Sequence, residues 1–248
     1  MRISLVFITK NEEVGLGAIL PAMDFSLFDE VYAIDAHSKD GTSEQFAKQE
    51  ISVYQQSNPG LGAATLQARE HCTTDAMIFF HPDGNEDYRD LPKFIEQLRL
   101  GHELVIASRM IKGGYNEDDS QVFKWRKWAN LGFALISNTL FGSRHCRVTD
   151  VVQGFRAITC DAFDRMQLDQ TNCTIDYQMV IRALKLRLRI AEFPPIEGER
   201  IAGATNFASI PTGIAEVKML WREIWLGRLF GKVTPRSLPA ALNRVAKL

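Results

Sequence analysis

The chain lacks any segment with the look of a membrane span. Its best candidate, the uncharged stretch Trp128 to Ser143, is sixteen residues broken by Asn130, Ser137, Asn138 and Thr139, whereas a spanning helix needs about twenty apolar residues. Cysteine is scarce: Cys72, Cys146, Cys160 and Cys173 are widely spaced and form no C-x-x-C pair. Neither a zinc site nor a disulfide framework is indicated, and reduced thiols of a cytoplasmic protein are expected. The first residues have no basic start and no cleavage site of a signal peptide, so export is not expected. Internal repeats and low-complexity tracts are also missing. A net charge of -1 gives none of the overall basicity of a nucleic-acid binder, and no nucleic-acid partner is expected. Charge is unevenly placed, however: no acidic residue follows Glu223, while Arg228, Lys232, Arg236, Arg244 and Lys247 are basic, leaving -6 for residues 1–223. Such an end suits either anionic lipid head groups or a solvated tail.

An apolar fraction of 46% over 248 residues is that of a globular core in one large or two small domains and excludes a disordered chain. Strands are predicted at Ile3–Ile8, Glu30–Ile34, Ile51–Tyr54, Ala76–Phe80 and Leu104–Ala107. Helices are predicted at Val14–Ala22, Thr42–Gln49, Leu61–Cys72 and Leu91–Leu100. Strand-helix alternation implies an α/β fold with a mainly parallel sheet and helices on both faces. The turn signals agree: Asp40-Gly41-Thr42 closes a loop and starts a helix, Asn58-Pro59-Gly60 breaks the next segment, and Pro92 occupies a first helical turn. Beyond residue 115 the pattern changes. Trp125, Trp128, Gly132, Leu135 and Ile136 recur at helical spacing, as do Val217, Leu220, Trp221, Ile224 and Trp225. Both segments predict amphipathic helices that pack on the core or lie against a membrane surface.

Two strands end in polar clusters. Ile3 to Ile8 runs into Thr9-Lys10-Asn11-Glu12-Glu13, and Met77 to Phe80 runs into His81-Pro82-Asp83-Gly84-Asn85. In an open α/β sheet the ligand sits beyond the carboxyl ends of the strands. Asp83 and Asn85, one residue apart, offer the oxygen ligands that Mg²⁺ or Mn²⁺ bridging a diphosphate requires; Asp-Gly-Asn is equally the chemistry of an ordinary turn.

Taken in order, the motifs resemble the family 2 glycosyltransferases, and within them the dolichyl- and polyprenyl-phosphate mannosyl- and glucosyltransferase branch. Thr9-Lys10-Asn11-Glu12-Glu13 is similar to the family's T-x-N-E-E turn, and Asp35 to Thr42 to its D-D-x-S-x-D-G-T loop. Gly60-Leu61-Gly62-Ala63-Ala64 matches G-x-G-x-A. Asp83-Gly84-Asn85 stands at the metal motif, Ala107-Ser108-Arg109 at G-S-R, and Asp150 with Gly154-Phe155-Arg156 at D-x(n)-G-F-R. Glu192 to Ile196 followed by Arg200, Gly203, Ala204 and Thr205 completes the series.

The resemblance implies a GT-A (Rossmann-like) fold, with residues 1–115 as the nucleotide-sugar half, 116–210 as the acceptor half of the same domain, and 211–248 as a helical basic tail. It places Thr9, Asn11, Glu12, Asp35, Ser38, Gly62 and Asp83 at the nucleotide. His81, Asp83 and Asn85 fall at a metal-diphosphate, where a cation neutralises charge on the departing group, so that Asp83 also counts as catalytic. Arg109, Arg156, Arg200 and Thr205 fall at an acceptor phosphate; each arginine is equally suited to a structural ion pair. The donor implied is a GDP- or UDP-sugar. The acceptor implied is a lipid phosphate reached by peripheral contact with the cytoplasmic membrane face, or a glycan hydroxyl.

The chain departs from the family pattern at four places. Ala36 replaces the second loop acid, and His81 replaces the first acid of D-x-D, where a neutral imidazole lends a cation no negative charge. Asn206 replaces a lysine of the acceptor pocket. Gln178 stands where the branch has a glutamate, which leaves Asp176 as the nearest carboxylate for a catalytic base or, alternatively, for a helix cap. Ala36 and His81 together also raise the alternative of a nucleotide-sugar-binding module without catalysis. A nucleotidyltransferase, which shares the sheet type, usually has a glycine-rich, Arg/Lys-containing loop directly after the first strand, and Thr9 to Glu13 contains no glycine.

Overall fold

The computed structural model of the chain describes residues 1–114, 125–196 and 209–227. Strand β1 (Ile3–Thr9) leads into helix α1 (Glu13–Ile19), and the pattern repeats through β2 (Glu30–Asp35), α2 (Thr42–Ala47), β3 (Ser52–Gln55), α3 (Leu61–His71), β4 (Ala76–Phe80), α4 (Leu91–Arg99) and β5 (Leu104–Ala107). The second half supplies α5 (Trp125–Leu140), β6 (Arg156–Thr159), α6 (Cys160–Met166), α7 (Ile175–Leu186), β7 (Ile190–Phe193) and α8 (Ser209–Leu226). The strands predicted from sequence are all present, with ends shifted by a residue or so. Each predicted helix is shorter at its C-terminus, and Leu20–Ala22 is a separate 3-10 turn after α1.

The seven strands form one sheet in the order β3-β2-β1-β4-β6-β5-β7. Neighbours run parallel except at β6, which is antiparallel to both β4 and β5. This mainly parallel sheet with flanking helices is the GT-A architecture.

Because side chains alternate along a strand, β1 divides its residues between two cores. Ile3, Leu5 and Phe7 face a layer built from α1, α2 and α4, where Leu16, Ile19, Phe46, Phe94 and Leu98 are buried. Val6 and Ile8 face the opposite layer, where Ala64 and Ala68 of α3, Met166 of α6, Val180 and Leu184 of α7, and Leu220 of α8 close over the sheet. Burial on both faces explains why β4, and β1 from Leu5 to Ile8, read as unbroken apolar runs.

Among the described residues, no helix is long and apolar enough to cross a membrane. Helix α5 buries Asn130, Ala134 and Ser137 and exposes Trp128, Leu135 and Leu140. Helix α8 buries Glu216, Met219, Leu220 and Glu223 and exposes Ile214, Val217, Trp221 and Trp225. Both are amphipathic, with an apolar stripe on the outside.

Candidate functional site

Register fixes the site. Thr9 at the end of β1 lies opposite Asp35 at the end of β2, and Phe7 lies opposite Phe80 at the end of β4. The loops after these three strands therefore emerge at one sheet edge, with β2 and β4 separated by β1 and so about 10 Å apart at ordinary strand spacing.

The first two loops are stitched together. Asp35 is buried and accepts hydrogen bonds from Thr9 Oγ1 (3.2 Å), Ser38 N (2.9 Å) and Ser38 Oγ (2.5 Å). Asn11 N donates to Ser38 Oγ (2.8 Å), Lys39 N donates to Asn11 Oδ1 (2.9 Å), and Glu12 N donates to Thr42 Oγ1 (2.9 Å). Asn11 and His37 hold left-handed backbone at φ 57° and 55°, which lets each loop turn back toward the other. Of the residues expected at the nucleotide, Thr9, Asn11, Asp35 and Ser38 thus form one hydrogen-bonded unit, with Glu12 tied beside it to Thr42. Gly62 stands apart in α3: its N–H donates to Asn172 O (3.2 Å), and that of Ala63 to Thr171 O (3.0 Å).

The third loop is brought alongside by helix α1. A Cβ at Gly15 would lie 2.0 Å from Pro82 O, so only glycine allows this contact between α1 and the 81–85 loop. Within that loop Asn85 N donates to Asp83 Oδ1 (3.0 Å). Glu86 reaches back to accept from His81 N (2.7 Å) and from His81 Nδ1 (2.8 Å). Two buried polar atoms here, His81 Nε2 and Asn85 Oδ1, have no hydrogen-bond partner. Unsatisfied buried groups are costly, so both atoms call for a partner such as a water, an ion or a ligand.

The sequence led us to expect a neutral imidazole at His81; the structure differs. Burial disfavours its charge, but Glu86, with Asp83 and Asp176, pushes its pKa up to about 9. Nε2 is then a hydrogen-bond donor at neutral pH. No group of three or more His, Cys, Asp or Glu side chains surrounds a common metal position among the described residues. Asp83 and the unpartnered Asn85 Oδ1 nevertheless fit a Mg²⁺ or Mn²⁺ of the kind held by one or two protein oxygens and completed by diphosphate and water.

A second layer of charge lies behind the loop. Arg156 is fully buried, donating through Nε and Nη2 to Gln153 O and through Nη1 to Asp176 O (2.8 Å), with Nε 3.4 Å from the Asp176 carboxylate. Expected at an acceptor phosphate, it instead positions the first turn of α7. Burial raises the Asp176 pKa, against the opposing pull of Arg156 and His81. Arg109, the other described arginine expected there, keeps part of its side chain exposed. It pairs with Asp150 through Nε (2.9 Å) and Nη2 (3.2 Å). Asp150 also accepts from Asn130 Nδ2 (2.7 Å), while Glu192 accepts from the Thr149 and Asp150 amides at 2.9 and 3.2 Å. Burial opposes the charge on Asp150, but Arg109 and Asn130 hold its carboxyl below the usual range. Arg200 and Thr205 lie outside the described residues.

Sequence reasoning missed Glu86, Gln153 and Asn130 as parts of the site. A carboxylate five residues past His81 was a usable signal for the first; the other two are joined to it only by the fold.

Compared with known proteins, residues 4–166 match the family described as Glycosyl transferase family 2. The chain is 26% identical over 227 residues to a low-salt glycan biosynthesis hexosyltransferase (Agl6) of Haloferax volcanii, covering 88% of this chain and 52% of that protein. It therefore spans about half the length of that relative. It is 26% identical over 235 residues to an undecaprenyl-phosphate mannosyltransferase of Micrococcus luteus, covering 88% and 93%. Among solved structures it resembles glucosyl-3-phosphoglycerate synthase from Mycobacterium tuberculosis in complex with Mn²⁺, uridine diphosphate and glucosyl-3-phosphoglycerate. There the TM-score is 0.66 and the identity 19%, covering 92% of this chain and 79% of that one.

Proposed function

Since the chain belongs to glycosyl transferase family 2 and is a glycosyltransferase, we propose that it moves a hexose, with inversion, from a GDP- or UDP-sugar to a polyprenyl phosphate at the cytoplasmic membrane face. One observation carries the donor half. The Thr9–Asp35–Ser38 unit and the unpartnered His81 Nε2 and Asn85 Oδ1 lie on loops that leave the same sheet edge, after strands two spacings apart. A structural neighbour solved with Mn²⁺ and uridine diphosphate supports a nucleotide donor.

Asp83 and Asn85 would hold the Mg²⁺ or Mn²⁺, whose charge, when bound, favours departure of the nucleoside diphosphate. His81 Nε2 donates to a diphosphate oxygen and adds a fixed positive charge there, which strengthens as the leaving group's negative charge develops. Asp35, Ser38 and Thr9 orient the nucleoside, while Gly62 lets α3 approach the backbone of residues 170–172. A phosphate acceptor is already anionic and needs positioning, not a base. Arg109, held in place by Asp150, turns its exposed edge toward that phosphate, and Arg200 and Thr205 complete the set. Arg156 acts through Asp176 as a positioning residue.

Lipid as the acceptor is supported by the apolar stripes of α5 and α8. Both helices pack on α7: the Phe133 ring of α5 lies tilted against Tyr177, next to Asp176, with centroids 5.2 Å apart, while Lys185 of α7 pairs with Glu223 of α8 at 2.6 Å. The exposed Trp128, Trp221 and Trp225 suit an interfacial layer. The mannosyltransferase of Micrococcus luteus, a relative named for undecaprenyl phosphate, supports the same class.

A glycan hydroxyl is the second acceptor class, favoured by the raised pKa of Asp176, a property useful in a general base. The test pairs radiolabelled GDP- and UDP-hexoses with polyprenyl phosphate in detergent and with oligosaccharides, with Mg²⁺ or Mn²⁺, for the wild type and Asp176→Asn. A chloroform-soluble product that survives Asp176→Asn within about threefold supports the phosphate acceptor. Product only on oligosaccharide, lost by a factor of about 10² or more in Asp176→Asn, refutes it.

A further inference from the structure

Two of the four thiols, 88 positions apart in sequence, meet beneath the sheet at the edge opposite the site. Cys72 follows α3, Cys160 begins α6, and their Sγ atoms are 3.5 Å apart. Backbone pairing makes the approach a property of the fold: Ala76 of β4 lies opposite Thr159 of β6, and Cys160 N donates to Asp75 O (2.8 Å). The surroundings are polar for so buried a place. Ser4 Oγ and Thr74 Oγ1 lie 3.5 and 3.4 Å from Cys72 Sγ and 2.7 Å from each other.

We propose that Cys72 and Cys160 are a modification site, forming a reversible intramolecular disulfide when a peroxide or a small-molecule disulfide is present. The sulfurs need to close from 3.5 Å to the bonded distance of about 2.05 Å, a movement of side chains already facing each other.

The two thiols are chemically unequal, as an attacking and a resolving cysteine should be. A hydrogen bond from Cys160, with Thr74 and Ser4 assisting, holds the Cys72 thiol down to about 5 against the effect of burial. The same bond, together with burial, raises that of Cys160. With hydrogen peroxide, the Cys72 thiolate attacks one oxygen. The O–O bond breaks, an S–O bond forms, and hydroxide leaves to take up a proton. The Cys160 sulfur then attacks the Cys72 sulfenic acid, giving up its proton as the S–S bond forms and the S–O bond breaks with loss of water. Two electrons pass from the sulfurs to the peroxide, which ends as two waters. A dithiol reductant reverses the exchange.

The experiment treats the folded full-length chain with hydrogen peroxide or oxidised glutathione, then denatures it, alkylates free thiols and maps peptides by mass spectrometry. The expected result is loss of two of the four thiols, a Cys72–Cys160 linked peptide two mass units lighter than its reduced parts, a higher melting temperature, and reversal by dithiothreitol. In Cys160→Ser, dimedone should label Cys72 as the trapped sulfenic acid. The double variant C146S/C173S keeps only the proposed pair and should still lose both thiols. Alkylation of both Cys72 and Cys160 after oxidation, pairing with Cys146 or Cys173 instead, or conversion of Cys72 to sulfinic acid without a linked peptide would overturn the proposal.

Discussion

Replacing Glu86 by glutamine tests the charge on which the donor site is built. Glu86 accepts from both the backbone N–H and Nδ1 of His81 and is the leading influence raising the imidazole pKa from 6.5 to about 9 against burial. At about 1.4 kcal/mol per pH unit, that rise is a preference of about 3 kcal/mol for the charged form. The Glu86→Gln amide keeps an oxygen acceptor but removes the countercharge, so burial should bring the His81 pKa to 6.5 or below.

The linkage follows in sign. A histidine whose folded pKa exceeds its unfolded value contributes stability that is fully present below pH 6.5 and is lost as pH rises through about 9. Wild-type protein should therefore lose up to about 3 kcal/mol between those limits, seen as a fall in melting temperature of up to about 10 °C for a domain of this size. Glu86→Gln should lack that slope. Burial also raises the pKa of Glu86 itself, so its replacement removes an opposing cost and the variant should remain folded at neutral pH. Imidazole ¹⁵N–¹H spectra from pH 5 to 10, with His81→Asn to assign the resonance, give the pKa directly, and thermal melts over the same range give the linkage. A wild-type His81 that titrates near 6.5, or one whose pKa is unmoved by Glu86→Gln, would refute the reasoning.

Three further outcomes follow from named contacts. Gly15→Ala sets a methyl 2.0 Å from Pro82 O; it should cost about 1–3 kcal/mol by overpacking and weaken UDP or GDP binding measured calorimetrically, and unchanged affinity would detach the 81–85 loop from the donor site. Asp83→Asn leaves a neutral oxygen where the divalent cation is proposed to sit, so nucleotide affinity should lose its dependence on Mg²⁺ or Mn²⁺ while EDTA-treated wild type and variant bind alike. Glu223→Ala strips the buried partner from Arg182 Nη2 (2.8 Å) and Lys185 Nζ (2.6 Å) and should cost about 3–5 kcal/mol. That loss is read as a lower urea midpoint, with the exposed Glu96→Ala as the neutral control.

The first half of the sheet, β1 to β5, was legible in sequence because its information is local. The apolar strands, the Asp40-Gly41-Thr42 turn and Pro92 near the start of α4 each constrain a few neighbouring residues, and parallel β-α-β order then delivers the strand ends to one edge. What tertiary structure alone decided is pairing between distant segments. β6 and β7 lie beyond the regular strand-helix alternation of the first half, so chain order does not announce them, and β6 takes an antiparallel place between β4 and β5. That insertion buries Arg156 against Phe79 and Ile106 as register partners, turning it inward to Asp176. The same β4–β6 pairing brings Cys72 to Cys160. The charge on His81 was likewise not in the residue type, because a pKa records burial and neighbouring carboxylates, and Glu86 and Asp176 reach it only once the chain has folded.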